Sequence, residues 1–323
     1  MKKLLISSAL FFGTLSTLFA QQDAQFSHYM HNTLFYNPAF AGVENVTKIS
    51  LIHRSQWAFY KSDFDKGGGA PTTQVFSLTS PVYKVNGGFG MHVVHDQLGP
   101  MNNLETQASF AYHLELKESK IAFGFRTGFF SQTINWDYLR ATDPNDPVLA
   151  DKTGSESQTR PDLAAGIFYI HEKFYGGVSF NHLLKSSFDF NVENLNSALA
   201  NHMFFTGGHY YNINTVGRLH SSMMFKTDFK QFNFTASTIL TKLERQKEQL
   251  WLGLVVRQAE DVGLMFGYHF LEDKSLRIGY SFGYVVSNRA AKSPTSHEVI
   301  LIYELPGIGP VNKKIEHTPR FRH

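Results

Sequence analysis

Val262-Gly263-Leu264-Met265-Phe266-Gly267-Tyr268-His269-Phe270 alternates without a break. Leu264, Phe266, Tyr268 and Phe270 fall on one face, and Gly263, Met265, Gly267 and His269 on the other. A period of two marks a β-strand, whose successive side chains point to opposite sides. The pattern returns where Ile278, Tyr280, Phe282 and Tyr284 oppose Gly279, Ser281 and Gly283. It returns again where Ile121, Phe123, Phe125 and Phe129 oppose Ala122, Gly124, Arg126 and Gly128. A soluble sandwich would bury the aromatic face and turn a charged face to water. Here the second face is small, rich in glycine and holds an occasional Arg or His. That combination suits a crowded barrel interior behind an aromatic lipid face.

Composition agrees. The 323-residue chain is 15% aromatic, with 30 Phe, 14 Tyr and 25 Gly, yet its mean hydropathy is only −0.22. A helical membrane protein would carry runs of about 20 apolar residues, and none occurs beyond the N-terminal leader. The net charge of +3 falls further if Lys2 and Lys3 are removed, so there is no basic footprint for nucleic acid. The absence of cysteine excludes disulfides, thiolate metal sites, a nucleophilic Cys and a lipidated N-terminal Cys.

The leader reads as a Sec-type signal peptide. Met1-Lys2-Lys3 is basic, Leu4 to Phe19 is mostly apolar, and Ala20 precedes Gln21-Gln22. Leu18 is bulky for its place before the cut, and an uncleaved anchor is the alternative. The expected organisation is signal peptide 1–20, N-terminal segment 21–45, barrel 46–304 and tail 305–323.

The predicted strands are 46–56, 72–81, 88–95, 104–114, 120–131, 161–170, 174–182, 202–211, 218–227, 232–242, 250–258, 262–270, 275–286 and 297–304. The fold class is therefore all-β, a transmembrane antiparallel barrel of about fourteen strands. Long connections at 57–71, 96–103, 132–160 and 183–201 alternate with short ones near 82–87, 115–119, 171–173 and 212–217. Outer-membrane barrels have long outer loops and short periplasmic turns, so both termini are expected in the periplasm. The rhythm blurs later, at 228–231 and 243–249: either the later outer loops are small or a strand is misplaced. Loop 137–160, with Asp-Pro-Asn-Asp-Pro and Thr-Gly-Ser-Glu-Ser, is expected to lack regular structure. It serves either as an outer binding surface or as a mobile cover.

Residues 21–42 lie outside the wall. Phe26, Tyr29, Met30 and Leu34 have helical spacing, and Asn37-Pro38 predicts a turn. The short helix and turn would lie inside the barrel or against its periplasmic rim. Catalytic motifs are missing: there is no His-Glu-x-x-His, Gly-x-Ser-x-Gly or phosphate loop. Gly87-Gly88-Phe89-Gly90 reads as close packing or a bend. His28 and His31 could share one face of the helix but have no third ligand at a matching offset, so no metal site and no cofactor is expected. His92 and His95 should point to opposite faces. His202, His209, His220 and His269 are expected to face the lumen.

The segment from Gln25 to Gly42 resembles the opening of the PorP/SprF family of Bacteroidetes. Phe26, Ser27, Tyr29, Met30, Asn32, Tyr36, Asn37, Pro38, Ala39, Ala41 and Gly42 agree with that pattern, while His28 stands where Gln is usual. Ser296 to Tyr303, with His297, Glu298 and Tyr303, resembles the family's last strand, and Pro319, Arg320 and Phe321 its closing motif. The resemblance implies a non-enzymatic outer-membrane component of the type IX secretion system. It implies partners among the secretion components or a large surface-exposed, adhesin-like protein, with gliding motility in some species, and contact with outer-membrane lipid. The other readings are a passive channel for a hydrophobic or small polar solute, with 21–42 as its hatch, and an outer-membrane hydrolase using rim residues such as His95 and Asp96.

Overall fold

The computed structural model describes residues 23–60, 69–139, 149, 152–190, 197–214, 217–244, 247–271, 275–287 and 293–305. The strands are β1 (Thr47–Ser55), β2 (Thr72–Val82), β3 (Gly87–Leu98), β4 (Met101–Glu115), β5 (Ser119–Asn135), β6 (Ser155–His171) and β7 (Phe174–Asn181). After them come the short β8 (Ser187–Phe188) and β9 (Ser197–Ala198). The rest are β10 (His202–Asn214), β11 (Gly217–Thr227), β12 (Phe232–Glu244), β13 (Lys247–Arg257), β14 (Asp261–Phe270), β15 (Leu276–Val285) and β16 (Thr295–Leu305).

Fourteen of these strands form one closed antiparallel barrel, and β8–β9 form a separate hairpin between β7 and β10. Each barrel strand pairs with its neighbour in sequence, and β1 pairs with β16 to close the ring, setting Arg54 opposite Glu298. Closure satisfies every strand edge, which hydrocarbon demands because it offers backbone groups no hydrogen-bond partner. All fourteen predicted wall strands are present. The later loops are simply small: β11 and β12 are joined at 228–231, and no strand was misplaced.

Strand faces follow the alternation. Along β14 burial switches residue by residue, leaving Leu264 58% and Phe266 50% exposed on the outside. The inward side is crowded with small or polar groups, Gly263, Gly267 and His269 among them. His202, His220 and His269 are buried inside as expected, but His209 is exposed. It occupies the odd positions of β10, whose even positions (His202, Phe204) face inward. His92 is fully buried and bonds Glu105 at 2.8 Å, whereas its neighbour-but-two, His95, is only partly buried.

Two expected loops are partly strand. The connection at 96–103 is a tight hairpin in which Asp96 pairs with Asn103 and Leu98 with Met101. Ser155-Glu156-Ser157 opens β6 and pairs with Thr133 to Asn135 of β5. Polar residues marked these stretches as loop. They are strand because β5 and β6, at 17 residues each, exceed the roughly 9–11 residues a bilayer needs and continue paired beyond it. Asp143 to Pro147 of the expected loop lies outside the described residues.

The connections 83–86, 116–118 and 172–173 gather at one end of the barrel, here the turn end. The connections 56–71, 136–154 and 182–201 gather at the other, the loop end. At the loop end Trp136, Phe188, Phe190 and Leu199 form their own buried cluster.

Candidate functional site

The lumen is occupied by the chain's own N-terminal segment. It begins at the loop end, where Lys226 Nζ donates to the Asp23 carbonyl at 3.0 Å. It finishes at the turn end, where Gly42 N–H donates to Thr79 Oγ1 at 2.7 Å and Lys120 Nζ to Val43 O at 3.3 Å. The first and last described residues, Asp23 and Leu305, thus lie at opposite ends of the barrel. A segment that crosses the lumen before entering β1 separates Asp23 from Leu305. Residues 1–22 and 306–323, including the expected signal peptide and Pro319, Arg320 and Phe321, lie outside the described residues.

Locally the segment is irregular. A single 3-10 turn covers Tyr29–His31, one α-helical turn, α1, covers Thr33–Tyr36, and a second 3-10 turn covers Pro38–Phe40. The predicted helix is thus reduced to single turns. A longer helix would be about 10–12 Å wide, whereas tight turns let the backbone approach the wall. Asn37-Pro38 makes the predicted turn. Pro at the first position of a helical turn loses no hydrogen bond, and the Asn37 side chain caps it by accepting the Ala39 N–H at 2.9 Å.

Three sets of contacts fix this segment. The first is a buried charge network at the seam of the barrel. Glu298 accepts the backbone N–H groups of Ser27 and His28 at 2.7 and 2.8 Å, and His28 Nδ1 at 2.6 Å. Arg54 Nη1 donates to Glu298 at 3.1 Å, and Arg257 Nη2 to Ser27 Oγ at 3.3 Å. Asp261 balances both arginines, 3.6 Å from Arg54 and 3.3 Å from Arg257. Buried charges persist in such a setting only when paired and hydrogen-bonded.

The second set is backbone capture by the wall. Arg126 Nη1 donates to Phe35 O at 2.7 Å at the end of α1, and Ser179 Oγ to Tyr36 O at 2.8 Å. Asn37 Nδ2 donates to the carbonyls of Ile167 and Val178 at 3.0 and 3.2 Å, bridging β6 and β7. Inward glycines make this approach possible. A Cβ on Gly124 would lie 2.1 Å from Ala39 N, and one on Gly88 2.1 Å from Ala41 O. Of the two expected readings of Gly88, close packing or a bend, this contact is the first.

The third set is apolar. Phe26, Tyr29, Phe35 and Tyr36 form one core with Ile52, Val75, Phe204, Met224 and Ile300 of the wall. Leu34, Ala39, Phe40, Ala41 and Val43 form another with Ala111, Ala122 and Phe168. Burying one large side chain of this kind contributes about 1.5–3 kcal/mol. Tyr29 also bonds Ser222 Oγ at 2.8 Å, Asn32 Oδ1 accepts Ser77 Oγ at 3.3 Å, and Met30 packs beside Trp251.

Every motif residue from Phe26 to Gly42 therefore lies in one assembly, joined by Glu298 from the last strand. His297 points the other way and bonds Tyr280 OH at 2.6 Å, and Tyr303 is only partly buried on the same outer parity. Arg54, Arg126, Arg257 and Asp261 were missed. Their signal was charge at inward positions of membrane strands, which calls for a buried partner. His28 and His31 lie side by side on Trp251, their rings 6.3 Å apart, and His28 is committed to Glu298. Asp96 accepts Thr73 Oγ1 at 2.6 Å and does not pair with His95.

A second polar cluster holds the start of the segment. His182 Nε2 lies 3.0 Å from Asp23 Oδ1, and its Nδ1 2.9 Å from Asp162 Oδ2. His202 Nδ1 lies 3.2 Å from Asp23 Oδ2. Gln107 Nε2 donates to Asp162 at 2.6 Å.

A closed fourteen-strand barrel with lipid-facing aromatics and an internal plug defines an outer-membrane barrel protein. Its sequence matches the family described as type IX secretion system membrane protein PorP/SprF over residues 18–303, and the chain belongs to that family. It is accordingly a membrane component of a secretion system and not an enzyme. Among curated proteins no relative matches the sequence. Among solved structures, the CymD monoaromatic hydrocarbon channel is similar in fold, with a TM-score of 0.50 at 9% identity, covering 84% of this chain and 91% of that one. The TodX hydrocarbon channel mutant has a TM-score of 0.49 at 10% identity, covering 84% and 93%. A Pseudomonas aeruginosa FadL homologue has 0.46 at 11% identity, covering 84% and 93%.

Proposed function

We propose that this protein is a plugged, non-enzymatic barrel that supports the export or surface anchoring of one large secreted or adhesin-like partner, and gliding where the organism glides. The carrying observation is that the family's opening motif is spent on filling the barrel. Residues Phe26 to Gly42 bond to the wall from Glu298 near one end, through Ile167 and Val178, to Thr79 at the other, so they serve to close and stiffen the lumen. A stiff closed barrel suits a scaffold, whose working surface is its rim, better than a conduit. In this reading residues 1–20 are removed on export, 46–304 form the wall in lipid, and the turn end and tail face the periplasm. The loop end, with its cluster around Trp136, faces outward.

The test is deletion of the gene followed by a survey of surface proteins. Loss of one large surface protein, with other type IX cargo still displayed, is the expected result. Normal display of all cargo overturns the proposal. Co-purification in mild detergent would then identify the partner.

A further inference from the structure

We propose that Asp23, His182 and His202 form a binding site for a divalent first-row transition cation, Zn2+ foremost, which latches the start of the luminal segment to the barrel wall. The three residues come from three separate elements. Asp23 opens the luminal segment, His182 directly follows β7 and His202 opens β10. Their candidate ligand atoms all lie within 4.8 Å of one another. Ligands of a tetrahedral zinc ion, at bond lengths of about 2 Å, lie roughly 3.3 Å apart. Asp23 turns one oxygen to each imidazole, Oδ1 3.0 Å from His182 Nε2 and Oδ2 3.2 Å from His202 Nδ1, so a small rotation of the carboxylate would bring a single oxygen and both nitrogens around one ion.

His202 is the independent observation. It is only 1% exposed, yet neither ring nitrogen has a hydrogen-bond partner among the described residues. Its Nδ1 is close to the Asp23 carboxylate but out of hydrogen-bonding alignment. A buried imidazole without an aligned hydrogen bond is costly, and a cation shared with Asp23 would engage its Nδ1. His182 is already oriented as a ligand. Its Nδ1–H donates to Asp162, which Gln107 holds in turn. A carboxylate behind a histidine in this way fixes the ring and raises its basicity as a ligand. On binding, His182 Nε2 would give its proton to solvent and its lone pair to the cation. Lys226 donates its hydrogen bond to the Asp23 backbone carbonyl, while the carboxylate oxygens lie against the two imidazoles. Two imidazoles and one carboxylate favour zinc and its neighbours over magnesium or calcium, which prefer all-oxygen sets. A cavity lined by Asp23, His202, Glu105 and Gln132 adjoins the cluster and offers room for a fourth, exchangeable ligand.

The test uses the full chain in detergent, stripped with EDTA and titrated with Zn2+ by calorimetry and with Co2+ by visible absorption. One equivalent of each should bind, and Co2+ should show the intense bands of a tetrahedral site. Asp23→Asn and His202→Ala should each abolish binding, Asp162→Asn should weaken it by about 10–100-fold, and His31→Ala should leave it unchanged. Asp23 lies outside the wall, so Asp23→Asn leaves barrel closure intact, as heat-dependent gel mobility will verify. Absence of binding to the native chain overturns the proposal, as does binding that survives both Asp23→Asn and His202→Ala. In either case the cluster is only an imidazole–carboxylate pair.

Discussion

The His28 imidazole meets the Glu298 carboxylate at 2.6 Å, 270 residues apart in the chain. Glu298 holds two backbone N–H groups of the luminal segment as well, and Arg54 from the opposite side of the seam. Removing one member of a buried ion network costs about 3–5 kcal/mol, because its partners are left charged and unpaired. Glu298→Ala should therefore release the segment while the barrel stays closed. The chain has no cysteine, so Ala24→Cys supplies a clean label. Thiol labelling at this position should be at least tenfold faster in the Glu298→Ala background, and an unchanged rate would sink the idea.

Gly124 and Ala39 set a steric test. A Cβ at Gly124 would meet the Ala39 backbone at 2.1 Å, a clash that no side-chain rotation relieves. Gly124→Val should expel residues 37–42 from the wall, read as protease sensitivity of the segment in folded barrels. Gly176→Ala is the control, since its nearest neighbour would be 3.7 Å away, and it should behave as the native protein.

The plug covers a strongly polar wall, with Arg54, Arg126, Asp162 and Glu298 all buried beneath it. Native protein in planar bilayers should remain closed. A variant lacking residues 23–42 should conduct ions, provided heat-dependent mobility shows the barrel still forms. Conductance by the native protein would favour the passive-channel reading, and sealed bilayers in both cases would count against it.

Orientation can be measured from the two ends. Phe229, 66% exposed in the β11–β12 connection, marks the loop end, and Val85, 48% exposed, marks the turn end. An impermeant maleimide should label Phe229→Cys on intact cells and Val85→Cys only after the outer membrane is opened. The reverse pattern would invert the proposed topology.

The wall was legible because lipid on one side and packed lumen on the other impose a period of two on every strand. The luminal segment was legible as a distinct unit through Asn37-Pro38 and the apolar spacing of Phe26, Tyr29 and Leu34. Its anchors were not. Arg126 meets Phe35 and Ser179 meets Tyr36 only through barrel register, which brings together residues more than 90 positions apart. Polar strand ends misled the reading as well. Asp96 and Asn103 look like loop residues yet pair across a hairpin, since beyond the bilayer a strand needs no apolar face. His209 was misassigned because it stands an odd number of residues from His202 in the same strand, so alternation sends the two to opposite faces.

The clamp on Ser27 and His28 is divided between the two strands that meet last. Arg54 belongs to β1 and Glu298 to β16, and they are direct register partners. A barrel still open at that seam has only half of the grip. Firm seating of the N-terminal segment is thus a molecular proofreading of assembly: it is achieved only once the first and last strands have found each other in the correct register. A one-residue slip would turn Glu298 toward lipid and leave the segment unlatched.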